Sequence, residues 1–221
     1  MGPMAKWVKF MVSFMVSNSD QMQNDYSFNS TKHLQALIQG HAHWIKGFLD
    51  AGWDGYLFSV MFHQLAGSRK TMIIQMQQEV TRVYNRLGTR MVRKPRSPRW
   101  AGYLPVGLFI PDLPVPKRRK SKKSTIADVS INDGLHMGGI VLGNKWGRVR
   151  TGLKKHFKEE EDTYVTGKIR EILIKQITHD PENAVEYTFK SLKRRTFSPG
   201  DVLVLYWGGS VGRPDFLREK M

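Results

Sequence analysis

The chain has 221 residues, with 35 Lys and Arg against 19 Asp and Glu, a formal charge of +16 and an isoelectric point near 10.1. That excess selects a polyanionic partner, and a small neutral ligand alone does not explain it. Hydrophobic residues at 40% exclude a wholly disordered basic protein, and the lack of cysteine excludes disulfide scaffolds, thiolate metal sites and cysteine nucleophiles, in keeping with an intracellular, cytoplasmic setting.

Residues 6–16 are apolar with two lysines and superficially resemble a short secretory signal. No small-residue cleavage site follows, and the next residues are polar, so residues 1–30 are expected to be a flexible or peripheral segment. No run of 18 apolar residues is present, so no membrane span is expected. Residues 31–207 are expected to form one domain, with 208–221 as a tail. From Thr31 to Asp50, Leu34, Leu37, Ile38, Ile45, Phe48 and Leu49 recur at helical spacing, stopping at Gly52. Gly55 to Phe62 reads as a buried strand. Arg69 to Arg90 reads as a helix with Ser68 as its N-cap and Gly88 near its stop.

A Pro- and Arg-rich connection then leads to a strand over Tyr103–Ile110, closed by Pro111 and Asp112. Lys117, Arg118, Arg119, Lys120, Lys122 and Lys123 form a self-repelling run, read either as a solvated loop or nuclear-import signal or as a clamp on a phosphate backbone. Leu135–Leu142 is a third strand, 149–160 a basic helical segment, Lys168–Ile177 a fourth strand, Pro181–Arg194 a helix capped by Asp180, and 201–206 an edge strand. The expected fold is α+β, a central antiparallel sheet of four to five strands with flanking helices.

Two segments carry candidate chemistry. The third strand contains Leu135-His136-Met137-Gly138-Gly139, and the last helix contains Tyr187-Thr188-Phe189-Lys190, with Tyr187 and Lys190 on one helix face. Taken singly, His136 reads as a core histidine bonded to backbone, and Tyr187 as a core tyrosine packed among its apolar helix neighbours; the position of the Tyr-x-x-Lys helix downstream favours the functional reading of both. His41-Ala42-His43 is a literal His-x-His, but inside a helical pattern two such residues diverge and cannot share one ion.

The strand order, the histidine in a central apolar strand and the Tyr-x-x-Lys helix after the fourth strand resemble the HUH endonuclease superfamily of rolling-circle replication initiators, relaxases and single-strand transposases, over residues 55–195. The resemblance implies a strand His-x-His that holds a divalent metal, Mg²⁺ or Mn²⁺, and a tyrosine that attacks a DNA phosphate. On it, Tyr187 is the nucleophile, Lys190 the auxiliary cation and His136 a metal ligand. Gly138 stands where the second histidine is expected and has no side chain, so Asp128, Asp133 and His63 are the substitute ligands considered. A domain of the same fold that binds nucleic acid without cutting it is the alternative, and a basic RNA-binding protein a third.

Lys145, Trp146 and Arg148 after the third strand suit a platform for single-stranded DNA, or a structural tryptophan with surface charges, and Lys193 and Arg194 add cations after the tyrosine. The implied partner is single-stranded DNA or an origin hairpin in a bacterial or mobile-element host. No Walker-type or dinucleotide loop is present, so helicase and polymerase functions are expected from host proteins.

Overall fold

A computed structural model of the protein describes residues 31–114, 131–206 and 209–211. The elements are α1 (Thr31–Asp50), β1 (Asp54–Phe62), α2 (Arg69–Met91), β2 (Val106–Asp112), β3 (His136–Gly143), α3 (Leu153–Glu159), α4 (Glu161–Tyr164), β4 (Ile169–Gln176), α5 (Pro181–Thr188), α6 (Lys190–Lys193), β5 (Leu203–Tyr206) and β6 (Gly209–Val211). The strands form one sheet in the order β4-β1-β3-β2-β5-β6, with every neighbouring pair antiparallel. β1 to β4 with their helices follow a split βαβ path, which puts β1 and β3 at the centre. The fold is α+β, as expected, with six strands in place of four to five, because residues 209–211 of the expected tail add β6 to the edge.

Local chemistry explains several boundaries. α1 ends in a Schellman turn: Gly52 takes φ +86°, its amide donates to Leu49 and the Trp53 amide donates to Phe48. Ser68 caps α2 by accepting from the Thr71 amide at 3.3 Å. β2 runs through Pro111 and Asp112, where closure before them was expected. Proline lacks a donor, but β5 pairs only with Gly107–Phe109, so no partner on that side needs the missing amide.

The helix expected over 181–194 is broken. The Thr188 hydroxyl donates to the Ala184 carbonyl at 2.9 Å, a side-chain bond that competes with the helical ladder, and Phe189 turns fully into the core.

Register divides the sheet into two faces. Leu57, Ser59, Ile110, Asp112, His136, Gly138 and Ile140 share one face, on which α1, α5 and α6 lie. Tyr56, Phe58, Phe109, Met137 and Gly139 share the other, where Phe58 meets Phe157 of α3 at 5.3 Å and the Tyr56 hydroxyl accepts from the Leu153 amide at 3.3 Å. The two adjacent glycines therefore answer to different neighbours. A methyl on Gly139 would press into the Phe109 ring and lie 2.5 Å from the Leu108 carbonyl. On Gly138 it would meet nothing closer than the Asp112 Cβ at 3.9 Å.

Candidate active site

The start of β3 and the end of β2 supply the sheet half of the site. His136 pairs directly with Asp112, so the two side chains rise side by side, both largely buried. The chain reaches β3 through Asn132, Asp133 and Gly134, three successive residues with positive φ, of the types that adopt it most readily. This turn aims the Gly134 carbonyl at His136 Nδ1, 3.0 Å away. A carbonyl only accepts, so Nδ1 carries the proton. Nε2 is left facing Asp112 Oδ2 at 3.5 Å.

Asn132 anchors the turn. Its amide side chain accepts from the Leu65 backbone at 2.8 Å and donates to the His63 carbonyl at 2.9 Å, tying the end of β1 to the start of β3.

The helical half comes from α5 and α6. Lys190 Nζ lies 2.6 Å from Asp112 Oδ2 and 4.1 Å from the centre of the Tyr187 ring, and the Ser191 hydroxyl donates to Asp112 Oδ1. Burial works against the charge on Lys190, but its hydrogen bonds and charge interactions with Asp112 and Tyr187 outweigh it and hold the ammonium pKa above the ordinary lysine value. The group stays charged across the physiological range. Despite the helix break, Lys190 thus joins Tyr187 on α5 to Asp112 and His136 on the sheet.

Tyr187 is the exposed tyrosine among the described residues, at 58%. Tyr56 and Tyr164 are buried, and burial pushes the Tyr164 phenol up to about 12. Tyr187 also borders an open groove of about 950 Å³ between α5 and the β1–β4 side of the sheet, whose floor includes Ser59, Leu57 and Leu173.

The donor set does not fit a divalent ion as arranged. His136 gives one imidazole, and Gly138, next on that face, gives none. The Asp112 carboxylate already accepts from the Leu113 amide, the Ser191 hydroxyl and Lys190, with His136 Nε2 3.5 Å from Oδ2. Asp133 is exposed on the turn, and His63 is exposed beyond β1, with its backbone committed to Lys168 and Asn132. Among the described residues no three His, Asp or Glu are grouped to hold a metal. Asp128 and the run from Lys117 to Lys123 lie outside the described residues.

The other expected contacts separate. Lys193 pairs with Glu186 at 2.9 Å, and Arg194 is exposed after α6. Lys145, Trp146 and Arg148 follow the far end of β3, about 23 Å along the strand from His136. They do not border the Tyr187 groove. His41 and His43 lie in α1 as expected; His41 is buried, and its Nδ1 donates to the Leu37 carbonyl at 2.8 Å. Asp112 and Ser191 belong to the site without having been foreseen. The signal available for Asp112 was a carboxylate at the end of an apolar strand, which its proline neighbour made look like a turn.

No protein-family model matches the chain, and comparisons with curated proteins and with solved structures return no match either. No helix of the described residues is long and apolar enough to cross a membrane.

Proposed function

We propose that the protein nicks and rejoins single-stranded DNA through a covalent link to Tyr187, in the manner of a rolling-circle replication initiator. One observation carries the reading: an exposed tyrosine and a buried-strand histidine 51 positions apart meet in one cluster through Lys190 and Asp112 (187 − 136 = 51). The resemblance in motif and strand order and the charge of +16 support it.

In this reading a DNA strand lies along the groove with one phosphate beside Tyr187. A free phenol is a weak nucleophile at neutral pH, with a pKa near 10. The Lys190 ammonium, held by Asp112, stabilises the phenolate as its proton leaves to solvent and then the negative charge that grows on the phosphate oxygens. The Tyr187 oxygen forms a bond to phosphorus, the bond from phosphorus to the 3′-oxygen breaks, and that oxygen takes up a proton to become a 3′-hydroxyl. Attack by a 3′-hydroxyl reverses the step and rejoins the strand. Ser191 acts as a positioning residue through its hydrogen bond to Asp112, and His136 through its place beside the same carboxylate. No step passes through a metal, because Lys190 already occupies the Asp112 carboxylate.

The test is incubation of the full chain with single-stranded oligonucleotides, with Mg²⁺ or Mn²⁺ and separately with chelator, followed by denaturing electrophoresis. A protein–DNA adduct that persists in chelator and is lost in Tyr187→Phe supports the reading. An adduct of equal yield in Tyr187→Phe removes the nucleophile assignment, and strict dependence on the ion removes Lys190 as the working cation.

Gly138 favours a second reading, a DNA-binding protein of the same architecture without chemistry. It predicts binding that weakens steeply with salt and no adduct under any ion condition.

A further inference from the structure

We infer that the end of the sheet away from His136 carries a second nucleic-acid site, a single-strand platform on which Trp146 stacks a base between two basic segments. Trp146 is 84% exposed, the most exposed large hydrophobic residue among those described. A tryptophan left so bare forfeits most of the burial that usually places it.

Its loop is built and not slack. The Trp146 amide donates to Asn144 Oδ1 at 2.9 Å, Asn144 Nδ2 donates to the Gly102 carbonyl at 2.7 Å, and the Arg148 amide donates to the Met91 carbonyl at 2.9 Å. Gly147 is buried against Met91, so the backbone under the ring is seated on the end of α2. The loop therefore holds the indole outward, ready for a flat partner.

The two segments it joins are both basic. Arg93, Lys94, Arg96 and Arg99 follow α2, and Arg148 and Arg150 follow Trp146; all six are exposed. Neither segment, 93–100 or 144–150, contains an acid. Lys145 is paired with Asp54 at 3.6 Å and Arg99 lies over the Trp100 ring, but none of Arg93, Lys94, Arg96, Arg148 and Arg150 makes an ion pair with a described residue. A planar hydrophobic side chain among uncompensated cations matches the two faces of a single strand, base and phosphate. A membrane surface or an acidic peptide would use the charges but not a lone, rigidly presented indole. The platform does not depend on chemistry at Tyr187.

The test is fluorescence anisotropy of the full chain with a thymidine oligonucleotide of about 20 nucleotides, a duplex of equal length and the matched uridine RNA, across a salt series. Trp146→Ala is expected to weaken single-strand binding about 10-fold, the scale of one lost stacked base, with the salt slope and duplex binding unchanged; Trp146→Phe is expected to recover most of the loss. Arg93→Gln with Arg96→Gln is expected to lower the salt slope by about one to two on both DNA ligands. The melting temperature of Trp146→Ala, whose ring touches no core, is the control for folding. Unchanged single-strand affinity in Trp146→Ala, an equal loss on duplex, or tighter binding of the RNA overturns the inference. Adduct formation with an indifferent Trp146→Ala removes this site alone, whereas loss of affinity without any adduct removes the nicking reading alone.

Discussion

The two most exposed large aromatic residues of the described protein are Trp146, at 84%, beyond the last residue of β3, and Tyr187, at 58%, on α5 and linked to the first residue of β3 through Lys190 and Asp112. They sit in different electrostatic settings. Beside Tyr187, Lys190 is held by Asp112 and Lys193 by Glu186, while Lys175 in the groove lining makes no ion pair with a described residue. Around Trp146 most of the cations make no ion pair with a described residue. Paired, half-buried charge has fixed geometry and stays in register with a reacting group, which suits chemistry. Unpaired surface charge has reach and salt sensitivity, which suits holding a strand of any sequence.

The largest expected effect lies at the Tyr187 end. Lys190→Met should slow adduct formation about 100-fold, as for the loss of one preorganised charge donor, while thymidine-oligonucleotide affinity stays within about twofold because the Trp146 end is intact. Single-turnover rates beside anisotropy check this, and a parallel fall in both would erase the division. Because Lys190→Met leaves the Asp112 carboxylate short of a partner, a stability cost of about 1–3 kcal/mol should accompany it, and Lys190→Arg should recover part of both losses.

The sheet between the ends gives the next test. Gly139→Ala should cost about 3 kcal/mol, since its methyl meets the Phe109 ring and the Leu108 carbonyl, and should weaken both ends together. Gly138→Ala should fold and bind as the parent does, because its methyl enters open space beside Asp112. Denaturant titration separates the two. A tolerated Gly139→Ala would mean that the central strands are less tightly packed than described.

The smallest effect concerns pH. Burial lowers the His41 imidazole pKa below its ordinary 6.5, while the bond to the Leu37 carbonyl works the other way. The folded state therefore keeps His41 neutral while the unfolded chain protonates it near 6.5. The associated stability is fully present above that pH and is lost as pH falls through it. Melting temperature should decline from about pH 7 to about pH 5, and His41→Phe should flatten part of the decline. His156 acts in the same direction, its pKa lowered chiefly by burial, with Glu160 and Glu159 opposing and Arg90 adding to the effect. A variant as acid-sensitive as the parent would contradict this.

The elements legible in the sequence were those written in local chemistry. The apolar spacing of Thr31–Asp50 and the cap at Ser68 were both found where side-chain period and hydrogen-bonding capacity placed them. What escaped depended on neighbours in space. Pro111 looked like a strand stop because the sequence does not say that β5 ends short of it. Asp112 was passed over for the same reason. The break at Phe189 follows from a Thr188 bond and a buried ring that periodicity alone does not register. Trp146 follows the strand that begins at His136, and the eight residues of that strand carry it to the other end of the sheet.

The most direct test of Tyr187 as the nucleophile is peptide mapping of protein incubated with a single-stranded oligonucleotide pool and digested to leave one nucleotide on the attached residue. The expected result is a 5′-phosphotyrosyl mass on Tyr187, absent from Tyr187→Phe and strongly reduced in Lys190→Met. A nucleotide on any other tyrosine, or none on protein that binds the same oligonucleotides tightly, would contradict it.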